Sequence, residues 1–232
     1  MKLVVSLDLP SKRENLELLD RLKGLPAVRE GKIWAKIGFR SFIRDGKGFV
    51  EEVKKRGFPV FLDLKIYDIP NTMADSAEEI AKMGVEMFNI HLSAGKMGVA
   101  KVMERLSKFP TRPKVLGVTI LTSFTPHEVL EIYGSPVKKK ALQLAQMGYR
   151  MGIDGVVCSV WESGVIKEAT SPDFITLTPG IRLPQHSTDD QSRVATPAEA
   201  AQMGVDFIVM GRPIYRAENP VEVVNQILPY LN

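Results

Sequence analysis

Eight short apolar runs, each followed by a segment of helical pattern, set the limits on what this 232-residue chain can fold into. They fall near residues 2–7, 32–37, 58–64, 86–92, 113–119, 154–158, 173–177 and 206–210. A junction of helix, glycine and strand recurs between them. Lys55-Arg56-Gly57 precedes Phe58–Leu62, Ala81-Lys82-Met83-Gly84 precedes Met87–Leu92, and Ala201-Gln202-Met203-Gly204 precedes Phe207–Met210. Glycine suits the residue just past a helix, which often takes a left-handed backbone. A drifted copy, with Met147-Gly148 and Met151-Gly152, stands ahead of Gly155–Cys158. Pro59 is tolerable at the start of its strand. Strands that alternate with helices form parallel sheets, and eight such units in this length favour closure into a barrel. An open doubly wound sheet with two extra strands is the competing architecture.

Charge placement separates the two. Strand periodicity puts Ser6 and Asp8 on one face of the first strand and Trp34 and Lys36 on one face of the second. Asp63 and Lys65 share a face of the third, and Asn89 and His91 a face of the fourth. In a barrel the C-terminal ends of these strands converge on one mouth, where chemistry is found in this architecture. The expected fold is α/β, a single-domain (β/α)8 TIM barrel over residues 1–232. Its one long irregular stretch, Thr178–Thr196, reads as a phosphate-binding lid loop over the mouth.

Hydrophobic residues make up 44% of the chain and charged residues 25%, enough for one substantial core. The net charge of +4 is spread along the sequence. That argues against nucleic acid and suits an anionic small molecule. The N-terminus has no cleavage signal and no apolar run approaches a membrane span, so a soluble, cytoplasmic protein is expected. Cys158 is the one cysteine and reads as core.

The densest chemistry lies in Asp63-Leu64-Lys65-Ile66-Tyr67-Asp68-Ile69-Pro70-Asn71-Thr72, where two carboxylates bracket an ammonium at the end of an apolar strand. A surface salt bridge explains one pair. It does not explain charges that interrupt an apolar run just before Ile-Pro-Asn-Thr, which can start a helix. Lys36 alone could be a snorkelling strand-end lysine. With Asp63, Lys65 and Asp68 it completes the alternation that buried charges require. Asp8 could be a turn-former before the first helix, but its parity with Ser6 turns it inward. Gly211-Arg212 follows the eighth strand and offers a backbone N–H and a guanidinium, a reasonable phosphate seat. Thr122 ends the fifth strand, where a helix cap is an equally good reading. His91 reads as a supporting residue behind the site. The three histidines, His91, His127 and His186, lack metal-ligand spacing, and neither a dinucleotide fingerprint nor a Walker loop is present, so no metal and no cofactor is expected.

The run Asp-x-Lys-x-x-Asp-Ile-Pro-Asn-Thr resembles the signature of the orotidine 5'-phosphate decarboxylases of pyrimidine nucleotide synthesis, in their bacterial, single-function form. The resemblance extends from Asp8 to Arg212. It implies decarboxylation of orotidine 5'-phosphate to uridine 5'-phosphate and carbon dioxide, with Lys65 as proton donor to C6 and Asp63 close to the departing carboxylate. It further implies that Asp8 and Lys36 hold the ribose hydroxyls and that Thr122, rather than Ser123, meets the pyrimidine. Thr178-Pro179-Gly180-Ile181-Arg182 and Asp190-Gln191-Ser192-Arg193 are similar to the family's seventh loop. By that similarity Gln191 reaches phosphate and pyrimidine, and Arg182 supports the phosphate seat at Gly211 and Arg212. The resemblance also implies a homodimer in which Asp68 and Thr72 complete the partner's site.

Two alternatives remain at this stage. A magnesium-dependent sugar-phosphate aldolase or decarboxylase of the same barrel group shares Asp-x-Lys-x-x-Asp, but tends to carry a glutamate where this chain has Lys36. A noncatalytic nucleotide-binding barrel needs the phosphate seat, but has no use for a lysine between two aspartates.

Overall fold

The computed structural model describes residues 1–183 and 194–231. Eight parallel strands close on themselves in sequence order: β1 (Lys2–Ser6), β2 (Ile33–Gly38), β3 (Val60–Ile66), β4 (Met87–His91), β5 (Lys114–Val118), β6 (Gly155–Val157), β7 (Ile175–Thr178) and β8 (Phe207–Met210). The expected barrel is therefore present, and the open sheet is excluded by the pairing of β1 with β8.

Helices follow each strand. They are α1 (Lys12–Leu22) and α2 (Pro26–Arg29) after β1, α3 (Phe39–Lys55) after β2, α4 (Pro70–Lys82) after β3 and α5 (Gly95–Leu106) after β4. Next come α6 (Pro126–Tyr133) and α7 (Val137–Arg150) after β5, α8 (Val160–Ala169) after β6 and α9 (Pro197–Gln202) after β7. The one-turn α10 (Arg212–Tyr215) and then α11 (Pro220–Ile227) follow β8. Among the described residues no helix is long and apolar enough to cross a membrane.

The period-two pattern of the strands builds two separate apolar layers. Val4, Trp34, Phe61, Met87, Leu116, Leu177, Phe207 and Val209 point inward and fill the barrel. Their neighbours, including Leu3, Val5, Ile33, Ile37, Leu62, Phe88 and Ile208, point outward and meet the helices. Trp34 thus belongs to the packed interior, although it shares a face with Lys36. Its ring meets Phe207 edge-on at 5.1 Å, and the Lys2 ammonium lies 5.5 Å from its centre. These groups pack the N-terminal end, and the cavity is lined by residues at the C-terminal ends of the strands. Cys158 is buried in the outer layer, as expected of a core thiol.

The recurrent glycine does the work its position suggests. Gly57, Gly84, Gly152 and Gly204 all take positive φ, between 65 and 83°, and turn the chain from helix into strand. At the same end of the barrel, three acids that immediately precede even-numbered strands tie down the strand before. Glu86 accepts from the Val60 N–H at 2.6 Å, Asp154 from Val115 at 2.7 Å and Asp206 from Thr176 at 2.8 Å. Val60 opens its strand and Val115 and Thr176 stand second in theirs, so each carboxylate takes a backbone N–H at the N-terminal end of a strand. Of the 178–196 stretch, Thr178 closes β7 and Thr196 caps α9 through a capping box. A parallel bridge pairs Ile181 with Ala195, so the described ends of the loop are held together.

Candidate active site

The barrel mouth holds a cavity of about 620 Å³. Its floor and one wall come from the first four strands, through Ser6, Asp8, Lys36, Phe61, Asp63, Lys65 and Asn89. The middle is apolar, with Val118, Ile120, Val157, Leu177 and Val209, and the far side carries Arg182, Gly211, Arg212, Tyr215 and Arg216. A charged cluster, a greasy slot and a cationic rim therefore succeed one another around the opening. That sequence suits a flat ring joined to an anionic tail.

The charged cluster is a chain of alternating sign. Lys36 Nζ lies 3.4 Å from Asp8 Oδ2 and 3.2 Å from Asp63 Oδ2. Lys65 Nζ lies 2.6 Å from Asp63 Oδ1, and the Asn89 amide donates to the same oxygen at 2.7 Å. Burial opposes the ionised form of Asp63, but the Lys36 and Lys65 ammoniums and these hydrogen bonds overcome it and bring the carboxyl down to about 2. Burial likewise opposes the Lys36 ammonium, yet the Asp63 and Asp8 carboxylates hold its pKa above the ordinary lysine value. The cluster is thus mutually dependent: remove one member and its neighbour becomes a buried, under-compensated charge.

Local structure places each group. Asp8 does not cap the first helix, because Ser11 does, accepting from the Glu14 N–H at 3.2 Å. The loop that carries Asp8 is anchored by the fully buried Asn15, which accepts from the Leu9 N–H at 3.1 Å. Thr122 is not a helix cap either. Thr125 caps α6 with a full capping box, while Thr122 is buried against the cavity. Lys65 shows what periodicity did not reveal. It is the sole non-glycine residue of positive φ among the described residues, at 43°. Such a backbone costs about 1–3 kcal/mol and persists where its surroundings over-determine it.

Of the expected site residues, Asp8, Lys36, Asp63, Lys65, Thr122, Arg182, Gly211 and Arg212 all line this one cavity. Asp68 and Thr72 do not: they lie exposed around the start of α4, and Asp68 turns back to accept from the Ile69 N–H at 2.7 Å. The fourfold alternation through Asp68 is therefore not formed within one chain, where Asp8 takes the fourth place. Gln191 lies outside the described residues. His91 stands behind the cavity, its ring centre 5.6 Å from that of Tyr67. Burial, and then the Lys65 charge, push its pKa below the usual histidine value. Sequence reasoning passed over Tyr215 and Arg216, for which Arg-Pro-Ile-Tyr-Arg after the eighth strand was the available signal, and gave Asn89 only a direction.

With this geometry in view, residues 1–227 match the orotidine 5'-phosphate decarboxylase / HUMPS family. The chain belongs to that family. It is 56% identical over 233 residues to an orotidine 5'-phosphate decarboxylase of Nitratiruptor sp., with 100% of both chains covered. It is 52% identical over 230 residues to that of Helicobacter pylori strain 26695, covering 98% of this chain and 99% of the relative. The crystal structure of orotidine 5'-phosphate decarboxylase from Lactobacillus acidophilus is similar with a TM-score of 0.83 at 32% identity, covering 100% of this chain and 99% of that one. Membership of the orotidine 5'-phosphate decarboxylase / HUMPS family agrees with the motif at Asp63–Thr72 and with an eight-stranded barrel whose mouth is charged on one side and cationic on the other.

Proposed function

We propose that the protein decarboxylates orotidine 5'-phosphate to uridine 5'-phosphate and carbon dioxide, in the cytoplasmic synthesis of pyrimidine nucleotides. The observation that carries this reading is the Lys65 ammonium, 2.6 Å from Asp63 Oδ1 at the floor of the mouth. The bond from C6 to the carboxylate breaks, its electron pair stays at C6, and carbon dioxide leaves. Lys65 attracts the developing carbanion and then transfers a proton from Nζ to C6, and the resulting amine regains a proton from solvent. Asp63 lies beside the departing carboxylate and fixes the ammonium. Lys36 and Asp8 hold the ribose hydroxyls, Thr122 meets the pyrimidine, Gln191 bridges pyrimidine and phosphate, and Gly211, Arg212 and Arg182 seat the phosphate. The chemistry so written calls on no metal and no organic cofactor.

The protein acts as a homodimer, with Asp68 and Thr72 completing the partner's site. Support comes from their placement outside their own cavity and from the apolar side chains around them. Tyr67 and Ile69, on either side of Asp68, are 62% and 67% exposed, two large apolar side chains left uncovered next to it.

The direct test follows the absorbance of orotidine 5'-phosphate with purified protein in chelator, beside Lys65→Ala. Rapid loss that disappears in the variant supports the reading. No loss with the native protein sends the search to magnesium and sugar phosphates.

A further inference from the structure

We propose that Asn89 is a positioning residue that clamps Lys65 at both ends, its amide oxygen holding the backbone N–H and its amide nitrogen holding the carboxylate oxygen that the ammonium faces. This rests on the decarboxylase reading of the site. The ladder between β3 and β4 pairs Leu62 with Phe88 and resumes only at Ile66 with Ile90. Asp63, Leu64 and Lys65 thus stand opposite the single Asn89. The surplus chain is taken up where Lys65 swings to positive φ, and a bulge of this kind re-aims a side chain.

Such a bulge removes the Lys65 N–H from its strand partner, and Asn89 Oδ1 accepts it at 2.7 Å. The other half of the amide donates to Asp63 Oδ1 at 2.7 Å, the oxygen that Lys65 Nζ approaches to 2.6 Å. Asn89 is 1% exposed, so water does not stand in for either contact. A flipped amide would set NH2 against N–H and oxygen against carboxylate, which fixes its orientation. The two ends of the amide offer an acceptor to the backbone and a donor to the carboxylate at once, in any protonation state of the surroundings. Asn89 therefore sets both the root and the tip of the proton-donating lysine without touching the reacting atoms.

The test compares native protein with Asn89→Ala and Asn89→Asp. The second keeps the acceptor for the Lys65 N–H but confronts Asp63 with another carboxylate. Both variants should melt cooperatively, lose about 100-fold in kcat and hold KM within about threefold. The Asp63 carboxyl, followed by carbon-13 NMR without substrate, should titrate at higher pH in Asn89→Ala than in the native protein. A folded variant with near-native kcat, a loss confined to KM, or an unmoved Asp63 titration overturns the proposal. So does failure of both variants to fold, which would make Asn89 a core residue. Native protein inactive on orotidine 5'-phosphate would instead sink the functional reading, while the substrate-free titration still judges the clamp.

Discussion

Lys36 Nζ lies 3.2 Å from Asp63 Oδ2, although the ladder between their strands sets Lys36 beside Phe61 and Asp63 beside Gly38. The lysine leans one pleat toward the mouth, across a residue that has no side chain. A Cβ at Gly38 would stand 2.9 Å from Lys36 Nζ and 3.2 Å from Asp8 Oδ1. The glycine here serves approach rather than backbone conformation, since its φ of −93° is open to any residue.

Gly38→Ala should therefore spare the fold and damage the site. The displaced atom is the tip of a flexible side chain, so melting should change little. The ammonium, pushed off Asp63 and Asp8, should lower kcat/KM by about tenfold or more. Steady-state kinetics beside a thermal melt decides it, and unchanged kinetics would show that the lysine has room to spare.

Acid should expose the cluster's contribution to stability. The folded Asp63 carboxyl, near 2, is below its ordinary 3.8, so its stabilising contribution is complete above 3.8 and is lost as pH falls toward about 2. The difference corresponds to about 2 kcal/mol at neutral pH. Urea unfolding across that window should show a steeper decline for native protein than for Asp63→Asn. Parallel curves would mean that other carboxylates govern acid unfolding.

Arg212→Ala should separate phosphate from base. A charged hydrogen bond to phosphate corresponds to about 10- to 100-fold, and energy from this non-reacting group also orients the reacting centre. The loss in kcat/KM should be large for orotidine 5'-phosphate and small for the bare nucleoside. Equal losses on both substrates would remove Arg212 from the phosphate seat.

A shared site predicts complementation. Lys65→Ala and Asp68→Ala proteins should each be nearly inactive. An equal mixture allowed to exchange subunits should recover about one quarter of native activity, because half the dimers are mixed and each of those keeps one intact site. No recovery in a mixture shown to have exchanged would place Asp68 in its own chain's chemistry.

By itself the sequence determined the barrel, because strand and helix are local choices that alternate through eight units, and strand parity sets which residues face inward wherever the ladder runs without a bulge. The same parity sent Asp8, Lys36 and Asp63 to one mouth, and the motif at Asp63–Thr72 marked the chemistry. Tertiary structure decided the rest. Asp68, adjacent in sequence to the cluster, left it because the chain turns outward before α4. Asn89 joined it from another strand because three residues of β3 face one of β4. Gly38, two residues beyond Lys36 on the same strand, leaves space for the ammonium, and the register with β3 sets Asp63 beside that space. A one-dimensional period fixes the side of a sheet on which a residue stands. Where its tip comes to rest depends on which strand lies alongside and in what register, and those are set only when the barrel closes.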